Sequence, residues 1–486
     1  MKLAIIVQRY GAEILGGSEY HCRLVAERLA RQHDVTVLTT CARDYITWKN
    51  EYPESADRIR GVNVQRFANA KTRDIQSFNE FSDWIFHNPH SAADEQSWLE
   101  QQGPWCPALL EHLEQRHGNY DALIFFTYLY APTVLGLKAD PKRSILVPTA
   151  HDEPAIRLDL YRDVFRAPAG FAFNTGVERA FLRTRFAMRP RSEAIVGCGV
   201  DLPARFLDDV HEDGGESLPP PTPSIAEAAL AGDDAPGMAG TTLSEIEGGH
   251  ENGRTPAALF RRRHRLYEPF ALYGGRIDPG KGCEELISHF GAYTEARGDA
   301  TLVLMGVKLM PIPEEPYIRF AGTLPDAERF EALRAATVVV VPSPFESLSL
   351  LALEAFAVGT PVLANARSDV VTDHCQRSNA GLYYGDRDEF IEGLSLLIDN
   401  GGLREAMGRN GQAYVEANYA WDVILNKYER LIHDVAAGSQ RRRRSSASAG
   451  SSGADVDQPA KARRGGRGRS SGSRRGGSRA RSGRRS

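Results

Sequence analysis

The first forty residues run KLAIIVQ, a Gly-rich loop, a helical stretch from Ser18 with apolar Cys22, Val25, Ala26 and Leu29, and then DVTVLTT. This strand–loop–helix–strand order is the unit of a parallel, doubly wound sheet. Strand-length apolar runs follow at 121–128, 144–150, 170–175 and 193–200. The pattern restarts at 270–277, 300–307, 317–322, 337–343 and 361–365, again with helical segments between the runs. The expected fold class is therefore α/β, with two Rossmann-like halves over 1–206 and 256–420. A last helix over 421–437 carries an apolar stripe of Trp421, Ile424, Leu425, Tyr428, Leu431 and Ile432, which must pack on another surface.

Charge divides the 486 residues further. Residues 441–486 carry 15 Arg/Lys and 2 Asp, so 44 basic and 61 acidic residues remain in 1–440: a net −17 body and a net +13 tail. Residues 207–253 hold eleven Asp/Glu, no Lys or Arg, and a PPPTP run. Both 207–255 and the Arg/Ser/Gly tail 438–486 have compositions that cannot bury enough apolar surface to offset ordering entropy, and disorder is expected for each. The tail suits nonspecific attraction to nucleic acid or an anionic membrane, or simple solvation. The six cysteines are scattered without a CxxC pair, which suits reduced thiols. No apolar run reaches spanning length, and MKLAIIVQRYG reads as a buried strand rather than a signal peptide. A cytoplasmic protein is expected, or one peripheral at the inner membrane surface.

Three stretches carry chemistry. In 8-QRYGAEILGGSEYH-21, Gly16 and Gly17 would let a phosphate approach the backbone at a helix N-terminus. The spacing is not G-x-G-x-x-G and no acid ends the second strand, so a dinucleotide site is not indicated. A plain strand-to-helix turn is the alternative. In 274-GGRIDPGKG-282, Gly282 stands where a P-loop needs Ser/Thr for Mg²⁺, which leaves Arg276 and Lys281 as a diphosphate clamp or a solvated basic loop. In 342-PSPFESLSLLALEAFAVGTPVLAN-365, Glu346 lies on a loop and Glu354 on the helix that follows. Ser347 or Ser349 is a candidate N-cap, and the N–H groups near Ser349, Leu350 and Leu351 would face a ligand. Carboxylates accept hydrogen bonds and hydroxyls donate them, so two acceptors beside a diphosphate clamp suggest a ribose on one side and a sugar on the other. The alternative is one Glu on the helix dipole and one on the surface.

Together, E-x7-E with EAFAVGTPVLA, G-R-x-x-x-x-K-G and the N-terminal Gly-Gly loop resemble the family 4 retaining glycosyltransferases of GT-B fold, over most of 1–206 and 256–437. The resemblance implies two halves facing across a cleft, nucleotide on the C-terminal half and acceptor on the N-terminal half, and a terminal helix that crosses back. It implies that Glu354 holds the ribose, Glu346 the donor sugar, Arg276 and Lys281 the diphosphate, with Gly16, Gly17, Ser349 and Leu350 completing the donor site. His151, in 148-PTAHDEP-154, would lie near the transferring sugar, with Asp152 and Glu153 beside it. The substrates implied are a UDP- or GDP-linked sugar and a saccharide, lipid-linked or other hydroxyl acceptor, transferred by a front-face route with no metal or other cofactor. The chain departs from the family's E-G-F-G-L, reading Glu346-Ser347-Leu348-Ser349-Leu350, which tightens the space near the sugar and leaves the donor open. A non-catalytic nucleotide-sugar-binding or scaffold protein is the competing reading.

Two D-x-D triplets, at 386–388 and 455–457, could hold a metal; the first is expected to cap a helix. His87 and His90 are expected to be loop residues. The aromatics of 75–107, among them Phe78, Phe81, Trp84, Phe86, Trp98 and Trp105, could stack on acceptor sugars or pack helix on sheet.

Overall fold

The computed structural model describes residues 1–14, 16–201 and 255–450, with backbone only at 256 and 439–450. The expectation of disorder in the acidic insertion, and in the basic tail beyond 450, lies outside these residues, as does the second D-x-D triplet; over 438–450 the expectation is corrected, because the last helix runs through them. Met1–Ser439 form one compact unit that contains two sheets.

The first sheet is built from β1 (Lys2–Ile6), β2 (Asp34–Thr40), β3 (Ala56–Ile59), β4 (Val62–Phe67), β5 (Ala122–Phe126), β6 (Ser144–Val147), β7 (Gly170–Phe173) and β8 (Ser192–Ile195). Its order is β3-β4-β2-β1-β5-β6-β7-β8, all parallel except the β3–β4 hairpin. The second sheet comprises β9 (Phe270–Ile277), β10 (Thr301–Lys308), β11 (Ile318–Gly322), β12 (Val338–Val341), β13 (Val362–Asn365) and β14 (Gly381–Tyr384), in the order β11-β10-β9-β12-β13-β14. In each sheet the order reverses beside the first strand, β1 or β9. That reversal opens a crevice at the carboxyl ends of the strands, where α/β sheets bind ligands.

Alternation on the pleat explains why both faces are apolar. Leu3, Ile5 and Val7 of the first strand and its end join a core that runs through Leu272, Val303 and Val339 to Tyr428, Leu431 and Val435. Ala4 and Ile6 point into a second core under the first sheet, and Ala271, Leu302 and Val340 into a third.

The last helix, Trp421–Gly450, packs its residues 421–436 on the first sheet although it follows the second in sequence. A Cβ on Gly170 of β7 would fall 2.8 Å from Val435, and one on Gly199 would fall 2.4 Å from the Trp421 ring. Arg28 stacks over that ring at 3.8 Å, and His33 Nε2 meets Glu429 Oε1 at 2.6 Å. The helix continues past the boundary read at 437 because Gln, Arg and Ala are good helix formers and no proline intervenes before Gly450.

The sequence reading missed the β3–β4 hairpin and β14. The aromatic segment forms two helices, Ile75–His87 and Ala92–Gln102. Phe78 and Trp98 lie 5.7 Å apart inside the core under the first sheet, which is the helix-packing alternative. Asp386 caps the helix Arg387–Asp399, its carboxylate accepting from the Glu389 N–H at 2.9 Å. All six cysteines are buried and free. Among the described residues, no helix is long and apolar enough to cross a membrane, and no group of three His, Cys, Asp or Glu side chains could hold a metal ion.

Candidate active site

The carboxyl ends of the two sheets face each other across a cleft of about 990 Å³. Its lining includes Gly16, Gly17, His151, Arg276, Lys281, Glu346, Ser349, Leu350 and Glu354, so the structure brings these nine residues to one place.

On the second sheet, Arg276 sits inside β9, since the strand continues through GGRI to Ile277 rather than ending at the glycines. Gly275 at φ 144° and Gly306 at φ 127° pair across β9 and β10, and a Cβ on Gly306 would fall 1.8 Å from the Gly275 carbonyl oxygen. One 3₁₀ turn, Pro279–Lys281, follows; Asp278 caps it, its carboxylate accepting from the Lys281 N–H at 3.0 Å. Gly282 then turns the chain at φ 73°, where a Cβ would meet the Pro342 carbonyl oxygen at 2.4 Å. The residue that breaks the P-loop pattern is thus demanded by the backbone.

Lys281 Nζ donates to Glu346 Oε1 at 2.7 Å, both side chains half-buried. Arg276 Nη1 reaches the Tyr45 hydroxyl of the first half at 3.3 Å. Burial disfavours the Arg276 charge, but Asp278, 3.6 Å from its Nε, acting together with Tyr45 and Tyr130, outweighs this, and its pKa is raised. Ser349 is the N-cap of the helix Leu350–Ala357, in the left-handed conformation at φ 60°, and its side chain makes no cap bond. The amide end of that helix opens on the cleft as a seat for an anion.

Glu354 lies on the same helix, is buried, and is ion-paired with Arg329, a residue that sequence reasoning missed. Burial raises the Glu354 carboxyl above its ordinary value, and Arg329 opposes the rise.

On the first sheet, the two glycines differ. A Cβ on Gly16 would fall 2.2 Å from the Glu19 carboxylate, whereas one on Gly17 meets nothing within 4 Å. Gly16 makes room for a buried ion pair, Arg9 with Glu19 at 2.5 Å, which also lines the cleft and was not read from the sequence. Neither Arg9 nor Arg329 stands in a recognisable spacing; each is seen only once the strand end or helix face is in place.

His151 follows β6 and stacks on Phe345 of the second half at 5.7 Å, with Nε2 3.7 Å from Glu153. Its Nδ1 is buried without a partner. Glu178 anchors this loop: its carboxylate accepts from the Ala150 and Asn174 N–H groups, each at 2.6 Å, and burial pushes its pKa up to about 8. Asn174 in turn donates to Ser347 across the cleft at 3.3 Å. Asp152 pairs with Arg157 on the exposed side and is not in the cleft lining.

Two facing parallel α/β sheets with a terminal helix returning to the first define the GT-B fold. HepE of Anabaena, in complex with UDP-glucose, superposes with a TM-score of 0.57 at 14% identity, over 90% of this chain and all of that one. Residues 258–414 match the model of glycosyl transferases group 1, so the second half carries a domain of that family. A D-inositol 3-phosphate glycosyltransferase of Kineococcus radiotolerans is 27% identical over 413 residues, 78% of this chain and 88% of that protein. A GDP-mannose-dependent monoacylated alpha-(1-6)-phosphatidylinositol monomannoside mannosyltransferase of Corynebacterium glutamicum is 27% identical over 178 residues, 34% of this chain and 47% of that one. The chain spans about half the length of several curated relatives that it matches.

Proposed function

We propose that the protein is a retaining glycosyltransferase of family 4, moving a sugar from a UDP- or GDP-linked donor to a hydroxyl acceptor in glycan, lipid-linked glycan or glycoconjugate synthesis. One observation carries this reading: two cations, two carboxylates and a helix N-terminus converge on one cleft between two sheets. Arg276, Lys281 and the N–H groups at Leu350 and Leu351 would hold the diphosphate. Glu354 would accept from the ribose hydroxyls and Glu346 from the sugar, while the Lys281–Glu346 bond ties the sugar contact to the phosphate contact. Gly17, which leaves open space at its α-carbon, would let the acceptor-side backbone approach.

The chemistry follows from charge. As the bond from the anomeric carbon to the phosphate oxygen breaks, negative charge grows on the diphosphate, where the cations and helix dipole are already aimed. The acceptor hydroxyl forms its bond to the anomeric carbon on the same face and passes its proton to the leaving phosphate. Configuration is retained without a carboxylate nucleophile. His151, beside Phe345, would border the transferring sugar. Arg276 and Lys281 supply the neutralisation that a metal would otherwise give. The protein would work in the cytoplasm, its net +13 tail favouring an anionic membrane surface or nucleic acid.

A panel of nucleotide sugars, screened by thermal shift and then by released UDP or GDP with hydroxyl acceptors, tests this. At least one donor should raise the melting temperature and release nucleotide. If none shifts it, the binding claim fails; binding without turnover on any acceptor would leave the non-catalytic reading.

A further inference from the structure

We infer that Arg329 is a positioning residue of the donor site: it holds the buried Glu354 carboxylate as an anion turned toward the cleft, and ties it across the cleft to Tyr20. The inference rests on the assignment of Glu354 to the donor's ribose.

Arg329 lies on the helix Asp326–Ala335, one turn after its start, and reaches three groups. Its Nη1 donates to Glu354 Oε2, its Nη2 to the Tyr20 hydroxyl at 3.3 Å, and Nη2 also lies 3.4 Å from Asp326 Oδ1. Tyr20 belongs to the helix Gly17–Leu29, so one guanidinium joins the Gly-Gly helix of the first half to the donor-side helix of the second. All four side chains line the cleft.

The groups facing Glu354 explain why it needs this partner. The Glu354 side chain is 7% exposed, and its burial favours the neutral acid. Asp326 from the Asp326–Ala335 helix and Asp201 from the segment after β8 push the same way. Tyr20 and the Cys198 thiol are neutral neighbours: burial and then Glu354 raise Tyr20, and burial, then Asp201 and lastly Glu354 raise Cys198. Arg329 is the opposing charge; burial works against its own charge, and Glu354, Tyr20 and Asp326 together outweigh that and raise its pKa. A protonated Glu354 would offer one donor and a weakened acceptor to two ribose hydroxyls, whereas the carboxylate offers two acceptors. Because Arg329 donates to Oε2, Oε1 with its two lone pairs is the oxygen most open to the hydroxyls.

The test is isothermal titration of the full chain with intact UDP-glucose and GDP-mannose from pH 6 to 8.5, a range in which a diphosphate diester carries constant charge. Wild type should bind one of them with an affinity that varies little over that range. In Arg329→Met, Glu354 loses its counter-charge and its pKa rises further, so affinity should come to depend on pH, falling by up to tenfold for each pH unit lowered. Arg329→Lys should restore most of the flat profile. A uniform loss at every pH, or no loss, in a folded Arg329→Met protein overturns the inference, as does a Lys variant that behaves like Met. Failure of wild type to bind either sugar nucleotide, or any other of the panel, counts against the donor-site assignment instead.

Discussion

Ser349 occupies a left-handed conformation at the point where the helix Leu350–Ala357 begins, which for a residue with a Cβ costs about 1–2 kcal/mol. It stands where the family motif named above has its second glycine. Ser349→Gly should therefore raise stability by roughly 0.5–1 kcal/mol once glycine's larger unfolded-state freedom is subtracted, read as the midpoint of urea unfolding. At the site itself, Lys281→Ala should lower kcat by roughly 10²–10³, because it removes a charge aimed at the leaving diphosphate. Glu354→Ala should weaken donor binding about 10- to 100-fold, a figure set by about 1.5–3 kcal/mol for hydrogen bonds to a charged group. Full activity in both variants would sink the assignment. Much of this site was legible because its residues sit at short spacings in one stretch, as Glu346, Ser349 and Glu354 do, and as Arg276 and Lys281 do across the close of β9 and the turn after it. Arg329 and Arg9 were not legible: each is one arginine among many until packing aims it, and Ser349 betrays its backbone angle by no side-chain property.

At the level of elements, the long hydrophobic strands announce themselves and the marginal ones do not. β3, ADRI, is an exposed edge strand with charges at its centre, and β14, GLYY, has four residues and opens on a glycine. Neither shows a periodicity beyond what a turn allows. The glycines of β9 read as part of a phosphate loop from sequence, but one role of Gly275, with Gly306 of β10, is to let two strands approach. Gly306→Ala should destabilise by roughly 4 kcal/mol or more, since its Cβ would overlap the Gly275 carbonyl at an unfavourable φ. Gly17→Ala, with open space around the added methyl, should stay within about 0.5 kcal/mol of wild type, so that any loss of donor affinity there reports on ligand approach. Urea denaturation of both variants checks the contrast.

Across the whole molecule, three buried titratable groups set opposing dependences on pH. Burial lowers His21 and His374 to about 4, so stability is lost as pH falls from about 6.5 to 4, where the unfolded chain takes up protons first. Burial raises Glu178 to about 8, so its contribution is lost as pH climbs from about 4.5 to 8. Each group contributes a slope of about 1.4 kcal/mol per pH unit. Two histidines outweigh one glutamate below 6.5, and the glutamate acts alone above it, so these groups together place maximal stability near pH 6.5. Thermal unfolding from pH 4.5 to 8.5 should show that maximum, and Glu178→Gln should flatten its alkaline side. A profile still rising at pH 8 would contradict the assignment.

The helix Trp421–Gly450 has a consequence in time. Leu431 and Val435 cover Gly170 of β7, a strand made some 260 residues earlier. At ribosomal speeds of about 5–20 residues per second, the first sheet waits roughly 13–50 s before the chain that shields its face exists. During synthesis, half of this protein is complete in sequence and still uncovered, which makes the nascent chain a natural client for chaperones and the terminal helix the last piece to close its first-made fold.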